Sequence, residues 1–225
     1  MAQKLIPTPS QTVGPFFHLG LDRPEWSDLT AGNPQGTPLG ERIVIEGRVL
    51  DGDGAPVPDA LIELWQANAA GRYAHPDDRQ TDKPLDPNFR GFGRVATDAE
   101  GRFRFTTIKP GPVPGRGNSL QAPHINVILF SRGLLIHLHT RIYFDGEPAN
   151  TADPLLSSIE DPAVRGTLLA RRAEGSGSFL GYLAGFGQGV EVVVVGVPGR
   201  VGPALHAELV EEHVEVAYAN PHPGA

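Results

Sequence analysis

From residue 41 onward the sequence is cut into short apolar runs by turn-forming residues, and this punctuation constrains the fold more than any other feature. "RIVIEGRVL" alternates around Ile43, Ile45 and Val49, the period of two that gives a strand one buried face. "DGDGAPVPD" is turn chemistry, and "ALIELWQAN" is a second apolar run carrying Trp65. "VATDAEGRFRFTTI" predicts a hairpin closed over Asp98 to Gly101, with Phe103 and Phe105 on one face. "HINVILFSRG" and "LIHLHTRIYF" predict two long strands, and "VEVVVVGV" a final buried one. Helical signals are few. The best, "DPAVRGTLLARRAEG", has Asp161 as N-cap, Pro162 at the first helical position and Gly175 beyond the end. No repeat of fixed period is present. With 28 glycines and 22 prolines in 225 residues, the pattern predicts an all-β fold, an antiparallel β-sandwich with one or two short helices.

Residues 1–40 are rich in Pro, Gly and Thr, with Phe16, Phe17 and Trp26 scattered among them, and read as an extended arm that must lie on another surface. Residues 41–197 form the sandwich domain. Residues 198–225 are an extension that reads either as a short amphipathic helix over "ALHAELVEEHVEVAYA" or as disorder. Two long irregular loops, 72–94 and 109–123, are the expected seats of function.

A net charge of −7 without any Lys/Arg-rich block argues against nucleic acid or an anionic membrane as partner, leaving a small molecule or another protein. The absence of cysteine excludes disulfides, thiolate metal sites and cysteine nucleophiles, and fits a reducing compartment. "MAQKLIPTPSQ" has no apolar signal core and no apolar run is long enough to span a bilayer, so the expected location is cytoplasmic.

The chemistry turns on "APHINVILF", residues 122–130. On a strand, residues i and i+2 share a face roughly 6.5 to 7 Å apart, so His-x-His is a natural metal pincer. Here the second jaw is Asn126, whose neutral amide is a poor donor for a transition metal. "HLH" at 137–139 has the pincer spacing, but with no third ligand in local sequence the pair reads as structural. Of the four tyrosines, Tyr143 reads as core. No G-x-S-x-G nucleophile elbow occurs, and "GSGS" at 175–178 reads as a turn. Arg132, in "FSRGLL", sits between a strand end and a glycine, where its guanidinium can meet a carboxylate; pairing with a surface acid is the simpler alternative. Gly14-Pro15 in "TVGPFF" reads as a tight turn with its backbone open to a ligand or partner.

Several separated motifs resemble the intradiol ring-cleaving dioxygenases, in the same order: "TPSQTVGPFFHLGL", "LIELWQANAAGRY", "PLDPNFRGFGR", "IKPGPVP" and "APHINVILFSRGLLIHLHTRIYFD". The resemblance runs from about residue 8 to about residue 172 and weakens beyond. It implies a β-sandwich and, in catalytic chains, a non-haem ferric ion held by two tyrosines and two histidines. Carried over by position, the histidine places fall on His124 and Asn126, one tyrosine place on Val113 and the other near Gln80. Three of the four ligands are therefore missing, which implies a vestigial metal site and no metal in this chain. The Fe(III) is then expected in a partner beta subunit of the same hetero-oligomer, with the active site where the two meet and the arm, residues 1–40, packing on that partner. The resemblance also puts Gly14, Pro15 and Arg132 beside a carboxylate-bearing aromatic substrate, which is attacked by dioxygen. The rival reading is a non-catalytic β-sandwich module for carbohydrate or protein; a self-sufficient enzyme of the family would need all four ligands in one chain.

Overall fold

The computed structural model of the chain describes residues 8–31, 36–117, 119–172, 178–180, 183–186 and 190–193. Its elements begin with helix α1 (Phe17–Leu21), then strands β1 (Arg42–Asp51), β2 (Leu61–Trp65), β3 (Phe92–Ala96), β4 (Arg102–Ile108), β5 (Val113–Pro114), β6 (Leu120–Gln121), β7 (His124–Phe130) and β8 (Leu138–Phe144). Helices α2 (Pro154–Ser158) and α3 (Pro162–Thr167) follow, then β9 (Leu169–Arg172), β10 (Ser178–Leu180), β11 (Leu183–Phe186) and β12 (Val190–Val193).

Two sheets face each other as a β-sandwich. One runs β3–β2–β7–β8–β9 and is antiparallel except at β8–β9, where Tyr143 and Phe144 lie parallel to Leu169 and Ala170. The other is built on β1, which pairs with β4 along one edge and with β10 and then β12 along the other; β11 pairs with β12. Strand β9 bridges the layers, since its second half, Arg171 and Arg172, pairs with β10.

Alternation decides which side chains meet in the middle. Ile43, Ile45, Val49, Phe103 and Phe105 from one sheet pack on Ile62, Leu64, Ile125, Val127, Leu129 and Ile142 from the other. Each such side chain contributes about 1.5–3 kcal/mol on burial. The remaining residues of β2, β7 and β8 necessarily point to the other face of their sheet, and the candidate site forms there. A second apolar cluster of Ala122, Tyr143, Leu155, Leu156, Ile159 and Leu168 closes one end.

Three expectations are revised. The Asp98–Gly101 turn forms, with the Gly101 amide donating to the Asp98 carbonyl and the Asp98 carboxylate accepting from the amides of Glu100 and Arg102, but it closes no hairpin. Strand β3 joins β2 while β4 joins β1, so the turn carries the chain from one sheet to the other. Turn chemistry reports a reversal of direction; which sheet each strand enters depends on distant partners. The second revision concerns α3. Asp161 caps it through the Ala163 amide and Pro162 opens it, yet it ends at Thr167, because Leu168 and Ala170 accept hydrogen bonds from Tyr143 and Asp145 beside β8.

The third revision concerns the arm, which is not simply extended. It contains α1 and a 3-10 turn at Pro24–Trp26, and its second half lies on this chain's own sandwich. Trp26 packs edge-on against Phe92 with ring centroids 5.8 Å apart, the Asp22 carboxylate accepts from the Ala96 amide, and Leu29 is buried. Phe16 and Leu19, each 74% exposed, are left standing out from the surface. Residue 175, the end of "VEVVVVGV" past Val193 and the extension 198–225 lie outside the described residues. Among the described residues no helix is long and apolar enough to cross a membrane.

Candidate functional site

Strand register brings the site together on the face of β2, β7 and β8 turned away from the core. Trp65 pairs with Asn126 and Asn126 with Arg141, while His124 pairs with Tyr143. The loop after β2 folds over this row. Asn68 shapes its start, accepting from the amides of Ala70 and Arg72 and donating to the Pro84 carbonyl. Gly71 has φ +79°, and any Cβ there would run into the Pro112 carbonyl oxygen. Lys83 ties the same two segments by donating to the carbonyls of Gly71 and Pro112. The Tyr73 ring then stacks on Trp65, with centroids 5.7 Å apart and planes 13° from parallel.

Each place expected from the family's metal site is accounted for. His124 is buried; its Nδ1 lies 2.8 Å from the Ala122 carbonyl, and burial, with Arg141 nearby, holds its pKa down at about 3. Asn126 accepts from Arg141 Nε at 3.1 Å and donates to the Trp65 carbonyl at 3.3 Å. Val113 is buried on β5 opposite Gln121. Gln80 donates to the Gly71 carbonyl at 3.0 Å and to Asp78 at 3.1 Å. Arg141 reaches on to Gln121 Oε1 at 2.9 Å and the Tyr143 hydroxyl at 3.2 Å, and that hydroxyl donates to the buried Asp153 at 3.2 Å.

These side chains do not fit ferric iron. A hard trivalent cation needs anionic oxygen donors, and the places hold one neutral imidazole, two amides and a valine. Tyr73 and Tyr143 stand close by, but burial raises both phenols above their usual range, so they stay protonated. Arg141, permanently charged, occupies the same row with its hydrogen bonds already directed to Asn126 and Gln121. Among the described residues no cluster of three or more His, Asp or Glu side chains is placed to hold a metal.

The expected substrate-side residues lie elsewhere, at the far end of β7. Arg132 is 55% exposed, with Nη1 3.7 Å from Asp59 Oδ2, a loose ion pair open to exchange. Gly14 has φ +76° in the turn leading into Pro15 and α1. The Gly133 amide donates to Thr12 Oγ1, which brings the arm alongside the Arg132 turn. A shallow groove of about 150 Å³ lies between them, walled by Gln11, Val13, Phe130, Leu134 and Ile136.

Sequence reasoning missed Arg141 and Asp153. The signal for Arg141 was present but long-range: only once β7 and β8 are paired in register does Arg141 fall opposite Asn126. Asp153 lies before a proline, an N-cap signal like that of Asp161, but its reach to Ala122 and Tyr143 has no local trace. His137 and His139 sit on one face as expected, with ring centroids 4.6 Å apart.

A dioxygenase family model matches residues 13–182, and with the sandwich and the ordered motifs this places the chain in the intradiol ring-cleaving dioxygenase family. The chain is 42% identical to the protocatechuate 3,4-dioxygenase alpha chain of Pseudomonas putida over 190 residues, covering 79% of this chain and 90% of that one. It is 49% identical to the protocatechuate 3,4-dioxygenase beta chain of Burkholderia cepacia over 165 residues, but spans only 66% of that relative's length. Among solved structures, it resembles the dioxygenase domain of a dioxygenase carbohydrate-binding protein fusion from Streptomyces sp. SirexAA-E, with a TM-score of 0.51 and 30% identity over 77% of this chain and 94% of that one.

Proposed function

We propose that this chain is the alpha, non-iron-binding subunit of a protocatechuate 3,4-dioxygenase, working in the cytoplasm with a beta subunit that holds the ferric ion. The observation that carries the proposal is the donor set: at the four family ligand places only His124 keeps a metal-binding side chain, and Arg141 lies among them. Similarity to an alpha chain over most of both lengths supports it. Identity to a beta chain is higher, 49% against 42%, but covers 66% of that chain against 90% of the alpha chain.

In this reading dioxygen opens the ring between its two hydroxyl-bearing carbons to give 3-carboxy-cis,cis-muconate, with the redox chemistry supplied by the partner's ferric site. This chain contributes position and exclusion of water. Arg132 exchanges its loose contact with Asp59 for the ring carboxylate, a charge-assisted pair with bidentate geometry. The backbone of Gly14 and Pro15 forms pocket wall, and the exposed Phe16 and Leu19 pack against the partner.

The test is iron content and the visible spectrum of the chain purified alone and after co-expression with a beta chain. The expected result is a colourless, iron-free chain and a coloured, ring-cleaving complex. A chain that alone holds stoichiometric iron with a phenolate-to-iron band would overturn the proposal.

A further inference from the structure

Beside Asn126, one of the places that the family resemblance marks out for a metal ligand, lies a side-chain cation. Arg141 lies opposite Asn126 in the β7–β8 register, and its Nε–H reaches the Asn126 amide oxygen at 3.1 Å. Its Nη1 reaches Gln121 Oε1 at 2.9 Å and the Tyr143 hydroxyl at 3.2 Å. The Asn126 amide nitrogen is committed on its other side to the Trp65 carbonyl and, at 3.4 Å, to the Tyr73 hydroxyl. The row is thus complementary to a guanidinium: the three side-chain atoms that Arg141 bonds are neutral acceptors, and the tyrosine among them is anchored on Asp153.

We infer that Arg141 is the residue that excludes iron from this chain, its guanidinium standing as an internal cation in the pocket where the family's catalytic chains hold their ferric ion. The physical reason is twofold. A fixed positive charge held on Asn126 repels a trivalent ion brought to the same row. The guanidinium also takes up the side-chain oxygen at position 126, so restoring a ligand there leaves the new ring competing with Arg141 for the same space. Loss of the three ligands removed the attraction for iron; Arg141 adds a barrier to its return. The inference rests on the reading of the chain as a subunit without iron.

The experiment separates the two. In the triple variant Gln80→Tyr, Val113→Tyr, Asn126→His, with Arg141 retained, iron uptake stays far below one ion per chain and no phenolate-to-iron band appears. Adding Arg141→Gln brings uptake close to stoichiometric, with the visible band, an increase of at least ~10-fold. Equal uptake with and without Arg141 overturns the inference, as does a folded quadruple variant that takes up no iron. Should the two buried tyrosine substitutions prevent folding, Asn126→His is compared with Asn126→His/Arg141→Gln, using Co(II) and its d–d absorption. Removal of Arg141 then tightens binding by ~10–100-fold, and equal affinities overturn the inference. Iron bound stoichiometrically by the unaltered chain would instead defeat the subunit assignment.

Discussion

The Gly133 amide donates to Thr12 Oγ1 at 3.0 Å, joining residues 121 positions apart. This one bond fastens the arm to the turn after β7, so that Gly14-Pro15 and Arg132 belong to the same surface even though the sequence separates them by more than half the chain. The groove there is lined by uncharged residues such as Gln11, Val13, Phe130 and Leu134, and among the described residues the side-chain ion pair of Arg132 is a long contact with Asp59 at 3.7 Å.

For the proposed alpha/beta enzyme we expect Arg132→Ala to raise KM for the carboxylated ring by ~10–100-fold, the worth of about 1.5–3 kcal/mol for a hydrogen bond to a charged group. Iron content should not change. Steady-state kinetics with a catechol lacking the carboxylate supply the control, since a loss of the same size there would show that Arg132 does not act through the carboxylate.

Asp153 is buried and accepts from four donors: the amides of Leu155, Leu156 and Ala122 and the Tyr143 hydroxyl. It caps α2 and pins the segment entering β7 to β8. Asp153→Asn exchanges one acceptor oxygen for a donor facing other donors, and we expect a loss of about 2–4 kcal/mol by urea unfolding. A change below about 0.5 kcal/mol would mean that the network relaxes at little cost.

His124 gives stability a pH dependence whose sign is set by burial. In the folded chain its pKa is held down at about 3, against about 6.5 when unfolded. Above the unfolded value the imidazole is neutral in both states and nothing is lost. Below it the unfolded chain takes the proton first, so stability falls by up to about 1.4 kcal/mol per pH unit until the folded group titrates. His139, held at about 4 by burial and by His137, acts in the same direction. Urea midpoints between pH 7 and 5 should fall with pH, and more gently in His124→Gln. Parallel slopes for the two proteins would refute the assignment.

Gly71 and Gly14 both have positive φ, but their surroundings differ. A Cβ at Gly71 meets the Pro112 carbonyl and the end of Lys83, whereas one at Gly14 meets nothing within 4 Å. Gly14→Ala should therefore cost about 1 kcal/mol, the backbone strain alone, and Gly71→Ala on the order of 3 kcal/mol or more. Thermal unfolding of the two variants side by side tests the difference, and equal shifts would show that the 71–112 contact yields easily.

The sandwich was legible because its signals are local. Alternation at Ile43, Ile45 and Val49 and at Phe103 and Phe105 states which side of each strand is buried whatever the strand pairs with, and these residues do fill the core. The turn at Asp98–Gly101 shows where such reading stops: its residues signal the reversal correctly, yet nothing within it says that β3 and β4 belong to different sheets. In the same way α3 has its start written in Asp161-Pro162, while its end is imposed by the pairing of Leu169 and Ala170 with β8.

By itself the sequence determined the fold class and the family, and it fixed which residues stand at the places the family resemblance marks out for ligands, since each depends on residue type and on order along one chain. Only the tertiary structure decided what surrounds Asn126. Arg141 is 15 residues from Asn126 and 20 from Gln121, and it meets both only because β7 and β8 pair in one register and the β5–β6 segment returns beside them. A guanidinium's partners are set by distances of about 3 Å in space, and no local pattern encodes those distances until the sheet is built.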